Sequence, residues 1–208
     1  MSADHVPSAS NSPGHSHPLI DRTQVGARLR AIRKSQKLTL KQLSERSGVA
    51  LSTLSKMELA QVSVSYEKLA AAARVLGVDI AQLFNPDREQ GEAVQPTVVS
   101  TALDSAAGYS TGNYDYHPMA GDFPGRSMAP MYVRVFAREM SQFEDYIRHS
   151  GQEFALVLSG RVRIQFETGE SVSIGARETA YFNSGIGHIY LSEAENGADA
   201  EVMVVMSE

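Results

Sequence analysis

The stretch from Thr39 to Glu58, TLKQLSERSGVALSTLSKME, constrains what this chain can fold into more than any other. Thr39 and Gln42 have the residue types and the spacing of a helix capping box. Gly48 lies near the middle, and glycine adopts positive φ angles without steric cost, so a tight turn is predicted there. Apolar residues recur at helical spacing on both sides of that turn, at Leu40, Leu43, Val49, Leu54 and Met57. Two short helices that meet at a steep angle are therefore predicted.

Apolar periodicity and end signals predict three more helices around this pair. One is predicted from Thr23 to Ser35. A fourth is predicted to begin after Ser65 and to stop at Gly77, and a short fifth to begin after Asp79. The result is an all-α domain of five helices, predicted to span residues 21–85.

The two parts of the chain carry opposite charge. Between Asp21 and Asn85 there are eleven Lys/Arg against five Asp/Glu, a net charge of +6. Between Pro86 and Glu208 there are eight against eighteen, a net charge of −10, and Asp4 completes the −5 of the whole chain. A basic part next to an acidic part predicts two domains with different partners, because only the basic one attracts DNA phosphates.

The helical stretch resembles the helix-turn-helix of the Cro/C1-type (Xre-like) transcriptional regulators, and the resemblance extends over roughly Gln24 to Phe84. It implies that the helix after Gly48 enters the major groove of a double-stranded DNA operator. Ala50 and Leu51 depart from the family, which usually has a small polar residue and often a glutamine there, although a leucine can still contact a thymine methyl group. The residues predicted to contact DNA are Arg28, Arg33, Thr39, Lys41, Leu51, Ser52, Thr53 and Lys56.

Further along the chain the apolar pattern changes from helical to alternating. We expect residues 1–20 to be a disordered tail, residues 86–108 a linker and residues 109–208 a second domain. Short alternating runs, separated by glycine or polar turns, predict an all-β antiparallel sandwich or jelly roll. These runs are residues 113–116, 132–138, 153–158, 162–167, 171–174, 179–182, 189–191 and 202–206, and an entering strand is also expected at residues 97–100.

A second motif lies in this β-rich part. His149-Ser-Gly-Gln-Glu153 is followed by six residues and then Gly160. This arrangement resembles the first motif of the cupin family, and the segment from Gly185 to His188 resembles the end of the second motif. The resemblance covers roughly Tyr109 to Met206. It implies a double-stranded β-helix (a jelly roll) whose interior places histidine and glutamate side chains around a divalent metal.

Departures from the cupin pattern decide which metal ligands remain. Ile147 stands where the family has its first histidine, so at most His149, Glu153 and His188 are left. Arg177 replaces the glycine that opens the second motif. Two histidines and one carboxylate can form a facial triad for Fe(II), and the same set can hold Zn or Mn. The alternative is a metal-free, polar-lined barrel in which these groups hydrogen-bond to one another or to a small ligand.

Three other side chains are predicted to contact a ligand in the barrel. Tyr114 and Tyr116 alternate on one face of a strand, and Arg134 lies on another strand. An arginine that faces into a barrel can hold a carboxylate or phosphate with two hydrogen bonds. Alternatively, Arg134 faces solvent or the acidic surface. Tyr190 is expected in the core or at the rim.

Composition excludes several classes of protein. There is no cysteine, hence no disulfide framework and no thiolate metal site. There is no run of about 18 apolar residues, so no membrane span is predicted. The first residues are not basic and then apolar, as a signal peptide requires, and we therefore expect a cytoplasmic protein.

Together, the two resemblances imply a one-component transcriptional regulator. The cupin barrel would sense a small-molecule effector, and the helix-turn-helix domain would bind a near-palindromic operator as part of a homodimer. One alternative is a mononuclear non-haem iron enzyme that resembles the hydroxypropylphosphonate epoxidases, with the helical domain as a scaffold. Another is a metal-independent cupin binder whose helical domain only assembles subunits. The basic charge of the helical part favours the regulator.

Overall fold

The computed structural model describes residues 19–62, 65–78, 80–84, 96–121, 123 and 125–207. Within these residues, five helices are followed by two antiparallel sheets, which confirms the predicted fold class. Of the predicted tail, only Leu19 and Ile20 are among the described residues. In the described part of the chain, no helix is both long enough and apolar enough to cross a membrane.

The helices are α1 (Arg22–Ser35), α2 (Leu40–Ser47), α3 (Leu51–Glu58), α4 (Tyr66–Val75) and α5 (Ala81–Phe84). Thr39 and Gln42 form the predicted capping box at the start of α2. Gly48 follows α2 with a φ of 72°, as the predicted turn requires. Asp79, which was expected to precede the fifth helix as its cap, lies outside the described residues.

The helix α1 approaches α3 closely because Gly26 has no side chain. A Cβ atom at Gly26 would lie 2.4 Å from the backbone oxygen of Met57 and 3.2 Å from that of Glu58. The close approach lets α1 and α3 share one apolar core with α2, α4 and α5. Its fully buried members include Val25, Leu29, Leu43, Leu54, Leu69, Leu76 and Leu83.

Replacing Gly26 by alanine is expected to destabilise the helical domain, even though alanine is the better helix former by about 1 kcal/mol. The added methyl group would meet backbone, which cannot rotate away, so we expect a net loss of about 1–3 kcal/mol in the free energy of unfolding. Urea denaturation of the helical signal measures it. Gly112→Ala is the matched control, since nothing lies within 4 Å of a Cβ atom there. Equal stabilities of the two variants would contradict the close approach.

The strands are β1 (Tyr109–Ser110), β2 (Tyr114–Pro118), β3 (Met128–Val135), β4 (Gln152–Ser159), β5 (Arg161–Phe166), β6 (Ser171–Gly175), β7 (Thr179–Asn183), β8 (His188–Ser192) and β9 (Ala200–Ser207). The larger sheet has the order β1-β2-β3-β9-β4-β7, and the smaller has the order β6-β5-β8. Apolar side chains of both sheets face the space between them. Those around the candidate site are Met131, Val133, Val135, Val202, Val204 and Met206.

Each of the eight alternating runs predicted after residue 108 overlaps one of the strands β2 to β9. The entering strand expected at residues 97–100 is wrong, because that segment has no regular structure. The chain enters the sheet at β1 instead, where Tyr109 pairs with Tyr116 of β2. Two residues of β1 pair with β2, which is too short a run for an alternating pattern to predict.

Arg177 keeps a backbone conformation that glycine normally supplies. Its φ is 68°, in the left-handed region, where a side chain costs about 1–2 kcal/mol. Neighbouring hydrogen bonds hold the turn: the Arg177 N–H donates to the carbonyl of Val157 (2.8 Å), and the Gly175 N–H donates to the carboxylate of Glu178 (2.6 Å). The turn at residue 177 is therefore retained, although arginine stands where the cupin pattern has glycine.

The helical domain packs directly against the barrel. The ring of Tyr66, at the start of α4, lies 5.4 Å from the ring of Tyr116 on β2. At the other end of the contact, Phe84 of α5 stacks on Tyr109 of β1 with ring centroids 5.8 Å apart. All five residues of β2 are buried. A direct apolar contact of this kind can transmit a change in one domain to the other.

Candidate functional site

The helix α3 presents a row of exposed side chains. Leu51, Ser52 and Lys56 are exposed and Thr53 is half-buried. Leu51 is 46% exposed although it is apolar. Ala50 precedes the helix and its side chain makes no capping hydrogen bond, so the first N–H groups of α3 have no side-chain cap. Such a helix start can donate its N–H groups to a phosphate.

The helical domain also carries exposed basic side chains outside α3. Lys41 of α2 lies 3.9 Å from Glu45 in a solvent-exposed pair, which leaves it largely available to a phosphate. Thr39 is exposed, but its hydroxyl oxygen is occupied as the acceptor of the α2 cap. Other exposed basic residues of the helical domain are Arg22, Arg30, Lys34, Lys37, Arg46, Lys68 and Arg74.

The structure corrects the prediction that Arg33 holds DNA phosphates. Its guanidinium is buried and forms a bidentate ion pair with the carboxylate of Glu58. The two N···O distances are 2.5 Å from Nε to Oε1 and 2.8 Å from Nη2 to Oε2. Its Nη1 donates to the carbonyl of Leu38 (2.7 Å). The hydrogen bond to Glu58 raises the pKa of Arg33, against the lowering effect of burial. Arg33 therefore ties α1 to the end of α3.

Arg28 is also turned inward. It is half-buried, and its Nη1 donates to the carbonyl of Leu83 at 2.8 Å. This bond joins α1 to α5 across the domain. Of the predicted phosphate contacts, Lys41 and Lys56 are thus the exposed ones, whereas Arg28 and Arg33 support the fold.

The three candidate metal ligands of the sequence meet inside the barrel. His149 precedes β4, Glu153 lies on β4 and His188 begins β8 of the other sheet. One ligand atom from each lies within 4.8 Å of the others. The Oε2 of Glu153 lies 2.9 Å from Nε2 of His149 and 3.5 Å from Nε2 of His188. Glu153 and His188 are buried, and His149 is nearly so.

Backbone carbonyls fix the orientation of both imidazole rings. The Nδ1–H of His188 donates to the carbonyl of Ile186 (2.8 Å), and that of His149 donates to the carbonyl of Ser150 (3.3 Å). With Nδ1 protonated, the neutral ring carries a lone pair on Nε2. A ring can therefore donate an Nε2–H hydrogen bond to the carboxylate of Glu153 only when it is protonated, whereas a neutral ring offers the lone pair of Nε2 to a metal ion.

Opposing influences set the charges of this group. Burial raises the pKa of Glu153, but hydrogen bonds with His149, His188 and Tyr190 outweigh it and lower that pKa to about 2. Burial lowers the pKa of His149, and its hydrogen bond and attraction to Glu153 outweigh this effect, so the net shift is upward. The carboxylate is therefore ionised and attracts positive charge, either a proton on His149 or a metal ion.

Comparisons with known proteins agree with this architecture. Residues 29–83 match the helix-turn-helix family model. Residues 139–206 match the cupin domain model. The chain joins a helix-turn-helix domain to a cupin domain.

Two known proteins match this chain over most of its length. The HTH-type transcriptional regulator PuuR of Escherichia coli (strain K12) is 26% identical over 165 residues, which cover 79% of this chain and 85% of PuuR. The crystal structure of an HTH_3 family transcriptional regulator from Vibrio cholerae has a TM-score of 0.57 at 18% identity and covers 90% of this chain and 97% of that one. At this identity, the likeness to the Vibrio protein shows the fold alone.

An iron enzyme has a weaker likeness. The structure of hydroxypropylphosphonic acid epoxidase from S. wedmorenis matches with a TM-score of 0.45 at 20% identity and covers 89% of this chain and 98% of the enzyme. A likeness at this level carries no argument about chemistry. Any metal at the cupin triad has to be argued from the residues of this chain.

The donor set of the cupin domain fits a divalent metal. Two neutral imidazoles and one carboxylate are ligands that Zn²⁺, Fe²⁺ and Mn²⁺ all accept. The backbone carbonyls behind His149 and His188 supply the outer hydrogen bonds that orient metal-binding histidines. A cation among the three Nε2 and Oε2 atoms would relieve the facing lone pairs. The cluster can therefore hold a metal.

The cavity next to the triad is small, with a volume of about 30 Å³. Tyr114 and Tyr116 line it, as the sequence predicted. Arg134 does not, and the prediction that it faces into the barrel is wrong. Met131, Val133 and Val135 of the same strand point inward, so Arg134 points outward, where it pairs with Asp115 (2.9 Å) and Asp199 (3.5 Å).

Two cavity residues of the cupin domain were missed by sequence reasoning. Tyr190 donates its hydroxyl to Oε1 of Glu153 at 2.5 Å, which leaves Oε2 to the histidines. The alternation of β8 places Tyr190 on the same face as His188, and this signal was available in the sequence. Ile147 occupies the place of the missing histidine and lines the cavity with its aliphatic side chain.

A third missed residue comes from the other domain. Glu67, in the first turn of α4, lines the same cavity as His149, Glu153 and His188. Burial raises the pKa of this carboxyl, while hydrogen bonds with its own backbone and Ser65 and the charges of the two site histidines lower it, and the net shift is upward. In sequence, an acidic residue in the first turn of a helix indicates only a favourable dipole interaction. Sequence reasoning therefore had no signal for Glu67.

Proposed function

We propose that this protein is a DNA-binding transcriptional regulator whose cupin domain binds an effector close to a divalent metal. The observation that carries the proposal is the similarity to PuuR, which runs through both domains and not only through the helix-turn-helix. The exposed face of α3 and its basic surroundings are what DNA binding requires. The alternative of an iron enzyme lacks comparable support, because the relative that matches in sequence is named as a regulator.

On DNA, α3 would lie in the major groove with Ser52, Thr53 and Lys56 toward bases or phosphates. Leu51 would contact a thymine methyl group, which gives little discrimination compared with a pair of hydrogen bonds. Affinity would therefore depend strongly on phosphate contacts such as Lys41 and on the N–H groups at the start of α3. Binding should weaken steeply with added salt.

One copy of this helical domain offers a small contact area, so we propose that a homodimer binds two half-sites. Half-sites for helix-turn-helix dimers are centred roughly 34 Å apart, one turn of DNA. The operator is then expected to be near-palindromic. An effector that binds one dimer geometry better than another would change operator affinity by that difference in binding free energy.

At the triad, His149, Glu153 and His188 would hold the metal, and Tyr190 would keep the carboxylate oriented through Oε1. A bound divalent ion would supply a positive, exchangeable coordination site for an effector oxygen or nitrogen atom. The rest of the effector would lie in the adjoining cleft of about 460 Å³, which Tyr114 and Tyr116 also line. The donor set suits several divalent ions, among them Zn²⁺, Fe²⁺ and Mn²⁺.

Lys56→Ala is expected to weaken binding to the operator by about 1–3 kcal/mol, or roughly 5–150-fold, if Lys56 contacts a base, and to relax specificity at that base pair. If it contacts a phosphate, affinity falls about equally for all sequences and the salt slope falls by about one. Fluorescence anisotropy with the DNA upstream of the protein's own gene, at several salt concentrations, measures both.

The control for this experiment is Lys68→Ala, which removes an exposed lysine from α4 rather than from the α3 face. It should leave operator affinity within about twofold, as expected for a surface substitution away from the contact. Unchanged binding by Lys56→Ala, or no salt-dependent binding by the wild-type protein at low salt, would contradict the proposed DNA contact.

A further inference from the structure

The two histidines among the candidate metal ligands lie on separate segments of the barrel. His149 ends the segment of residues 145–149, which precedes β4, and His188 follows the turn of residues 184–187. Glu153, by contrast, is fixed within β4. A metal ion that needs both imidazoles therefore depends on how these two segments are held together.

Backbone hydrogen bonds join the two segments at a few points. The N–H of Ile147 donates to the carbonyl of His188 (3.1 Å), and the N–H of His188 donates back to the carbonyl of Ile147 (2.9 Å). The N–H of His149 donates to the carbonyl of Ser184 (3.0 Å). The pair of Ile147 and His188 is an isolated bridge. A single bridge opens more readily than a long ladder, which leaves a role for side-chain contacts.

Arg148, the residue before His149, reaches across to the chain that follows β5. Its Nη2 donates to Oε2 of Glu167, and its Nε lies 3.4 Å from Oε1 of the same carboxylate. On its own segment, Nη1 donates to the carboxylate of Asp145 (3.2 Å) and to the carbonyl of Tyr146 (3.3 Å). The planar guanidinium is thus held from two sides.

Glu167 in turn is bonded to Gly187, the residue before His188. Its Oε1 accepts from the N–H of Gly187 at 2.7 Å, and its own N–H donates to the carbonyl of Gly187 at 2.8 Å. The ion pair also closes around this glycine, where a Cβ atom would lie 2.9 Å from Cδ of Glu167 and 3.1 Å from Cζ of Arg148. The pair therefore connects the neighbour of one histidine to the neighbour of the other.

Solvent exposure shows what this ion pair can contribute. The side chains of Arg148 and Glu167 are 41% and 35% exposed, and exposed ion pairs add little to global stability. Their bonds nevertheless reach the chain directly before each histidine, where a small displacement changes the distance between the two Nε2 atoms. Metal ligands have to lie within about 0.2 Å of their proper distances. Local position is therefore what the pair can supply.

We propose that Arg148 and Glu167 are positioning residues of the metal site, because their ion pair holds the segments of His149 and His188 in the arrangement that a divalent ion requires. This inference rests on the metal site of the proposed function. Glu167 has a second effect, since it balances the charge of Arg148, which would otherwise repel a cation at the neighbouring histidine.

The test measures the Zn²⁺ affinity of the full-length protein by calorimetry and records the visible spectrum of bound Co²⁺, which depends on coordination geometry. Glu167→Gln weakens the ion pair, and Arg148→Met removes it. Each is expected to lower Zn²⁺ affinity by roughly 10-fold or more, as loss of an outer hydrogen-bond partner does, and to change the Co²⁺ spectrum. The melting temperature of the metal-free variants should stay within about 4 °C of the wild-type value.

Arg148→Met separates position from charge. If the pair acted through charge alone, removal of the arginine would leave Asp145 and Glu167 unbalanced, and the cation would bind more tightly. We expect weaker binding, because the two histidine segments lose their connection. Tighter or unchanged Zn²⁺ binding by Arg148→Met would overturn the proposal.

Glu193→Gln is the matched control. Glu193 pairs with Arg163 at 3.5 Å, and the two side chains are 31% and 39% exposed, close to the values of the proposed pair. It follows β8 at the end opposite His188. This variant should keep Zn²⁺ affinity within about twofold of the wild-type protein. A loss as large as that of Glu167→Gln would show a general charge effect and contradict the positioning role.

Hydrogen exchange of the metal-free protein tests the connection directly. The amides of Ile147 and His188 should exchange faster in Glu167→Gln and Arg148→Met than in the wild-type protein and in Glu193→Gln. Equal exchange rates in all four proteins would contradict the proposed connection.

Failure of the proposed function would look different. A wild-type protein that binds none of Zn²⁺, Mn²⁺ and Fe²⁺ would contradict the metal site and the positioning role with it. Zn²⁺ binding that is equal in Glu167→Gln and the wild-type protein would contradict the positioning role alone. Operator binding by the wild-type protein, measured separately, decides whether the protein is a regulator.

Discussion

Replacing Arg33 by methionine is expected to lower the free energy of unfolding of the helix-turn-helix domain by about 3–5 kcal/mol. The substitution removes the guanidinium that forms two hydrogen bonds with Glu58 and one with the carbonyl of Leu38. The side chain of Glu58 is 4% exposed, so its charge would be left buried without a partner. Thermal or urea denaturation, followed through the helical signal, measures the loss.

Two further variants separate the ion pair from ordinary packing. Arg33→Met combined with Glu58→Leu should recover most of the lost stability, because an apolar pair leaves no unbalanced charge. Lys41→Met, which removes the exposed partner of Glu45, should change stability by less than about 1 kcal/mol. If Arg33→Met were as mild as Lys41→Met, the buried pair would not hold α1 to α3.

The double variant also tests whether Arg33 has any role on DNA. A phosphate contact would contribute about one unit to the salt slope of operator binding. Because Arg33 is buried against Glu58, we expect that slope to stay the same in the double variant. A smaller slope would restore Arg33 to the set of phosphate contacts.

The sequence predicts those features of the fold that depend only on residues close together in the chain. The capping box of Thr39 and Gln42 and the positive φ of Gly48 depend only on neighbouring residues, and both are present. The change from helical to alternating apolar pattern likewise separates the helices from the strands. The three metal candidates also come together, because motif spacing places His149 just before β4 and Glu153 within it.

Arg33 and Arg134 could not be placed from sequence because both depend on a partner far along the chain. Glu58 lies 25 residues beyond Arg33, and helical periodicity does not distinguish an exposed arginine from one with a buried partner. On β3 both faces are buried near Tyr132 and Val133, so alternation alone does not tell which face is the barrel interior. Because successive side chains of a strand point to opposite faces, a shift of one residue decides whether Arg134 faces a ligand in the barrel or pairs with Asp115 outside it.

Glu67 was beyond sequence reasoning for a related reason. Its place in the cavity depends on how the helical domain packs on the barrel, through contacts such as Tyr66 on Tyr116. Neither domain alone determines that packing. The linker predicted between the two domains implied that they lie apart. In the described residues, the helical domain and the barrel instead share an apolar interface. The residues at the contact between the domains are therefore the least predictable part of the candidate site.

The other large effect is expected at the metal triad. Native protein should retain about one divalent ion per chain, and Glu153→Gln should lower metal affinity by more than about 100-fold. Loss of an outer hydrogen-bond partner already costs about 10–100-fold, and this substitution removes the only anionic ligand of the three. Elemental analysis after dialysis and calorimetric titration with Zn²⁺, Mn²⁺ and, without oxygen, Fe²⁺ measure occupancy and preference.

Stability gives an independent measure of the same site. A metal that binds only the folded protein stabilises it by about 2.7 kcal/mol when its concentration is 100 times the dissociation constant. Added metal should therefore raise the melting temperature of the wild-type protein and of Glu170→Gln, an exposed control on the barrel, but not that of Glu153→Gln. If Glu153→Gln responded to metal like the control, the ion would bind elsewhere. If the wild-type protein bound none of the three ions, His149 and Glu153 would form a protonated pair, and the barrel would recognise its effector without a metal.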